Sequence, residues 1–139
     1  MMTAFRRGRA SDLAAVEAIQ YRSPEAAHWD PSDYLAHEFW VAEVAGCVAG
    51  FLVLRHLAAG ECEILNLAVA WEFRRKRLAE GLLHAALQHF CGVVFLEVRA
   101  SNEAAQKFYK YFGFQQVSIR NLYYDNPPES AIVMKFHSC

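Results

Sequence analysis

The stretch from residue 61 to residue 99 limits the fold most. "ECEILNLAV" reads as a strand, and "VVFLEVR" is a nearly continuous apolar run. Between them, residues from Arg75 to about Cys91 read as a helix. Its polar residues Glu80, His84 and Gln88 recur every four positions and form one solvent stripe. Leu82, Leu83, Ala86, Leu87 and Phe90 fall on the inward side. Two strands joined through a helix cannot form a hairpin, and a right-handed crossover sets them parallel. A parallel strand is apolar on both faces because it is covered on both. That requirement makes the chain an α/β sandwich.

The flanking segments add antiparallel pieces. "TAFRRG" reads as a first strand, and Ser11 is placed to cap the helix "DLAAVEAIQ". Asp30 as cap and Pro31 at the first helical position start a second, short helix. "FWVAEV" and "CVAGFLVLRH" form a hairpin around Ala45-Gly46. Ser101 is placed to cap the helix "NEAAQKFYKYF", which ends at Gly113. "FQQVSIRNLYY" and "SAIVMKF" pair around the loop "DNPPE". The predicted order is β-α-α-β-β-β-α-β-α-β-β, in a mixed sheet. With no repeat or linker, residues 1–139 are expected to form one domain.

Composition closes off other classes. A hydrophobic content of 55% supports a packed core rather than disorder. A net charge of −1 gives no global field for nucleic acid. No run reaches 18 apolar residues, and the N-terminus lacks the apolar core of a signal peptide, so the expectation is a cytoplasmic protein that does not span a membrane. Cys47, Cys62, Cys91 and Cys139 show no C-x-x-C pair and read as free thiols. His84 and His89 are five apart and do not share a helix face, so no metal site is expected.

"EFRRKRLAEGLL" places Arg74, Arg75, Lys76 and Arg77 at the head of the predicted helix. Helix dipoles disfavour cations there. Ligands in open α/β sheets sit beyond the carboxyl ends of strands, at helix N-termini, so a bound pyrophosphate would make these cations a matched set. Two alternatives stand beside that reading: a solvated basic face snorkelling over the sheet edge, and a local nucleic-acid patch.

At this point the chain resembles the GNAT superfamily of acyl-CoA-dependent N-acetyltransferases, and within it the RimI-like branch that acetylates ribosomal-protein N-termini. "EILNLAV" resembles the fourth strand of that family. "RRKRLA" stands where the family has R/Q-x-x-G-x-G/A. "LEVRASNEAAQKFYKYFGF" is close to the strand–helix signature of the branch, and "IRNLYY" with "ESAIVM" to its last two strands. The resemblance implies a mixed, mostly antiparallel sheet with splayed parallel central strands and helices on both faces. It implies acetyl-CoA as co-substrate and a protein N-terminus as acceptor. Backbone groups of Leu67, Ala68 and Val69 would hold the pantetheine arm, and Arg74, Arg75, Lys76, Arg77, Leu78, Ala79 and Glu80 would wrap the pyrophosphate. Asn102 and Tyr109 would hold the cofactor from the far side. Glu97 would take the proton of the amine, and Tyr109 would protonate the leaving thiolate.

Physical need agrees with these assignments. Glu97 sits in an otherwise apolar strand, where a carboxylate is costly unless paired or used. A paired structural glutamate is the alternative, as core packing is for Tyr109. Tyr123, Tyr124, Trp29 and Trp71 are further candidates for the acceptor entrance. Neutralising an α-amine at pH 7 costs about 1.4 kcal/mol, against about 4.6 kcal/mol for lysine, so one glutamate base suits an α-amine. Two positions depart from the family pattern. Arg77 replaces the first loop glycine, with its side chain expected to turn outward from a right-handed helix start, and Trp71 replaces a proline. These departures leave a rival reading: a degenerate domain that binds acyl-CoA or a protein partner without catalysis.

Overall fold

The computed structural model describes residues 2–125 and 127–139. Seven strands form one sheet, in the order β1 (Thr3–Arg7), β2 (Glu38–Val44), β3 (Cys47–His56), β4 (Glu61–Val69), β5 (Gly92–Arg99), β7 (Pro128–Ser138) and β6 (Gln115–Asp125). Every neighbouring pair is antiparallel except β4 and β5. Three helices complete the fold: α1 (Leu13–Tyr21), α2 (Leu78–Leu87) and α3 (Glu103–Phe112). The element order and the mixed, mostly antiparallel sheet agree with the sequence reading. The segment Pro31–Ala36 is a 3-10 helix, capped by the Asp30 side chain on the Ser32 N–H as expected. Asn126 of the predicted "DNPPE" loop lies outside the described residues.

The sheet carries a core on each face. Leu52, Leu54, Ile64, Leu82, Leu83, Val94 and Leu96 pack with α2 and the aromatic side of α3. Val16 and Ile19 of α1 pack with Tyr34, Phe39, Val41, Phe51, Val53 and Ala68 on the other. Strand β3 is therefore sandwiched, and Ala49–Leu54 form an unbroken buried run. The Ala45-Gly46 turn suits its hairpin, because both residues have positive φ, +49° and +82°.

Three predicted boundaries move. Ser11 does not cap α1; the Asp12 carboxylate accepts the Arg9 N–H at 2.8 Å and Ser11 lies inside a 3-10 turn. Asn102, not Ser101, caps α3, its Oδ1 accepting the Ala105 N–H at 3.2 Å. The helix after β4 starts at Leu78 rather than Arg75, so the basic run is a loop that precedes it.

The parallel pair is short. Glu61–Ile64 match Val93–Leu96, and no pairing continues beyond. The reason lies on the other edge of β4. Val53 pairs with Asn66 and Leu54 with Ile64, which leaves Leu65 as an extra residue. A bulge bends its strand and swaps the faces of the residues that follow. Ile64 thus joins one core and Ala68 the other. Residues 65–69 of β4 and 97–99 of β5 are left splayed.

Candidate active site in the strand splay

A cavity of about 980 Å3 fills that splay. Strand β4 contributes Glu63, Leu65 and Leu67, and β5 contributes Glu97 and Arg99. Asn102 and Tyr109 enter from α3, Glu25 and Trp29 from the segment after α1, and Tyr123 and Tyr124 from β6. The volume suits an elongated ligand rather than an ion.

Strand pairing fixes what the β4 edge offers. The Leu67 N–H donates to its neighbour Asn66 Oδ1 at 3.0 Å, the Leu65 carbonyl accepts the Trp29 indole N–H at 3.2 Å, and the Val69 carbonyl accepts Arg74 Nε at 3.3 Å. Odd-numbered residues therefore turn their backbone groups to the gap. By the same alternation Ala68 turns toward β3, where it pairs with Phe51. Leu67 and Val69 are the better-placed pair of the predicted three. Asn66 anchors this edge from inside: its buried Nδ2 lies at hydrogen-bond distance from the Ala27 carbonyl, Gln20 Oε1 and the Tyr34 hydroxyl. Sequence reasoning left Asn66 out, although a buried amide within an apolar strand was the available signal.

Glu97 and Tyr109 meet at the same cavity. Glu97 lies on the more open face of β5 with Val93 and Phe95, because Val94, Leu96 and Val98 face the core. Its Oε1 accepts Arg120 Nη1 at 2.6 Å. Its Oε2 is buried and has no partner, the one such side-chain oxygen among the described residues. One oxygen of the carboxylate is thus paired and the other is not. Tyr109 is buried edge-on against Phe108 and Phe114. Burial holds its phenol well above the usual tyrosine range, so it carries its proton at neutral pH. Glu63, another residue that sequence reasoning missed, adds a further carboxylate to the lining, held by Arg55.

The basic loop lies outside this lining. Arg75 and Arg77 are left-handed, with φ +65° and +59°, and Arg77 is the N-cap of α2. The expectation that Arg77 begins a right-handed helix is therefore wrong. A left-handed side-chain-bearing residue costs roughly 1–2 kcal/mol, and glycine would adopt the same shape freely. Arg75, Lys76 and Arg77 are exposed, whereas Leu78 points into the core and leaves only its backbone to a ligand. Ala79 and Glu80 occupy the first turn of α2, with Glu80 3.8 Å from His84. Arg74 folds back to Glu25 at 2.8 Å and over the Trp71 ring at 5.1 Å, so Trp71 packs on the loop rather than at the cavity. Asn102 Nδ2 reaches the Glu25 carbonyl at 3.5 Å, so Glu25 spans both walls. Among the described residues no His, Cys, Asp and Glu cluster could hold a metal. None of the helices described is long and apolar enough to cross a membrane.

The chain has sequence relatives and structural neighbours. The Acetyltransferase (GNAT) family pattern matches residues 10–114. A Bacillus subtilis protein named putative ribosomal protein bS18-alanine N-acetyltransferase is 33% identical over 132 residues, covering 86% of this chain and 83% of its own. The Escherichia coli ribosomal protein bS18-alanine N-acetyltransferase is 33% identical over 136 residues, covering 89% and 90%. Among solved structures, Ard1 from Thermoplasma volcanium superposes with a TM-score of 0.90 at 29% identity, covering 100% of this chain and 99% of its own. The crystal structure of the Escherichia coli ribosomal-protein alanine N-acetyltransferase gives 0.83 at 25% identity, covering 99% and 94%.

Proposed function

The chain belongs to the acetyltransferase (GNAT) family, and from that premise we propose that it moves an acetyl group from acetyl-CoA directly to the α-amine of a protein N-terminus. The observation that carries this reading is the carboxylate of Glu97 and the phenol of Tyr109 at one cavity, with Glu97 Oε2 buried and unpartnered. The pantetheine arm enters the splay along β4, against the backbone of Leu67 and Val69. One of their N–H groups donates to the thioester oxygen as charge builds on it. The loop from Arg74 to Arg77 and the first turn of α2 bind the pyrophosphate through N–H groups and cations. Asn102 touches the cofactor from α3.

Glu97 Oε2 accepts a proton from the incoming ammonium, directly or through one water. The neutral amine attacks the thioester carbon, the C–S bond breaks, and the new amide nitrogen sheds its second proton to water. Tyr109 gives its proton to the departing sulfur and recovers one from solvent. Trp29, Tyr123 and Tyr124 form the acceptor mouth on the face of the sheet that α1 leaves open. The named activity of both bS18-alanine relatives makes an alanine-initiated peptide the first acceptor to try. Thiol release from acetyl-CoA with such a peptide tests the proposal. Cofactor binding without turnover on any amine would favour the non-catalytic rival.

The left-handed Arg77 supplies a second check. Arg77→Gly keeps the loop shape, removes one cation and relieves strain. Titration calorimetry should show acetyl-CoA affinity changed by less than tenfold, about 1.4 kcal/mol, with a shallower dependence on salt. A wild-type protein that fails to bind while the glycine variant binds would mean that Arg77 blocks the loop.

A further inference from the structure

We propose that Arg120 is the positioning residue for Glu97: it grips one carboxylate oxygen so that the other is presented, bare, to the acceptor amine. This rests on the reading of Glu97 as the base. Arg120 is on the edge strand β6, and Glu97 is two strands away on β5. Their registers on the strand between them explain the meeting. Glu97 pairs with Val133 and Arg120 with Ala131, two residues apart on β7, so both side chains rise from one face. It reaches Oε1 through Nη1 at 2.6 Å.

The contact is monodentate, which matters. A guanidinium that forks onto both oxygens would engage Oε2 as well as Oε1 and lower the basicity of both. Here Oε2 stays buried without a donor, an arrangement costly in a resting protein and useful to a base. Arg120 is in turn fixed from the far side, its guanidinium carbon 4.0 Å from the Tyr123 ring centroid. Strand β6 is irregular between Arg120 and Tyr124, with Leu122 left-handed at φ +48°, and such a bulge re-aims the side chains beside it. The chain Tyr123–Arg120–Glu97 thus locks the rotation of the carboxylate. The Arg120 side chain is 52% exposed, so water screens its charge, and orientation is what it chiefly supplies.

The test is a cycle of Arg120→Ala and Arg120→Lys, each made in the wild-type and Glu97→Gln backgrounds. It is read as kcat with an alanine-initiated peptide and as acetyl-CoA Kd. Arg120→Ala should lower kcat roughly tenfold, the scale of a misoriented catalytic group, with Kd within about twofold. Arg120→Lys, which keeps one N–H donor and the charge, should hold kcat within about threefold of wild type. Added to Glu97→Gln, Arg120→Ala should cost less than about twofold more, because the group it positions is already disabled. An unchanged kcat in Arg120→Ala overturns the proposal. So does a full tenfold loss in the Glu97→Gln background, which would mark Arg120 as acting elsewhere. Wild-type turnover by Glu97→Gln alone would remove Glu97 itself from the mechanism, and that outcome is separate from the other two.

Discussion

Strands β3 and β6 belong to one sheet and have opposite surroundings. Ala49–Leu54 of β3 are buried without a break, because α1 covers one face and α2 the other. Strand β6 is exposed along nearly its whole length, with only Tyr124 half-buried. Helix α1 stops short of the β5–β7–β6 half, and that uncovered face carries Glu97, Arg99, Arg120, Tyr123 and Tyr124. The difference teaches where each kind of residue is tolerated. A filled half fixes the trajectory of β4, and an open half leaves its polar groups on the surface. The splay is the seam between the two.

That contrast can be broken most sharply from the filled side. Phe51 is fully buried on β3, so Phe51→Ala should lower unfolding free energy by about 3–5 kcal/mol, read by denaturant titration. A loss below 1 kcal/mol would show that this half is not the structural base. The seam should respond less. Asn66→Leu removes the partner of the Leu67 N–H and the Ala27 carbonyl and should cost about 1–3 kcal/mol. Thermal unfolding of this variant at the wild-type temperature would separate the buried amide from the bend it accompanies. The open half should respond least. Ile119 is 52% exposed, and Ile119→Thr should move stability by less than about 0.5 kcal/mol. A larger loss would mean that β6 is covered in solution.

The same contrast explains what could be read from the sequence. The filled half was legible because burial leaves a pattern: the apolar run of β3, the alternation of β4 and the inward stripe of α2 are periodic. Glu97 and Tyr109 were legible because a carboxylate within an apolar strand stands out, and because the strand–helix segment around them resembles a known family. Local backbone detail was not. Ser11 and Ser101 looked like caps, but Asn102 caps α3, and the Asp12 carboxylate turns back to the Arg9 N–H, leaving α1 without a side-chain cap. The polar stripe and inward residues that mark α2 begin only at Glu80 and do not fix where the helix starts, and the turn from β4 places two left-handed residues, Arg75 and Arg77, before it. The Leu65 bulge, and the Arg120–Glu97 contact that crosses β7, depend on register between distant strands and leave no local mark.

The central claim is that Glu97 accepts the amine proton within the splay. Single-turnover acetyl transfer by Glu97→Gln, with acetyl-CoA prebound and peptide in excess, tests it most directly. The account predicts cofactor affinity within about twofold of wild type and a transfer rate reduced by about 10²-fold or more. Transfer at the wild-type rate would contradict it.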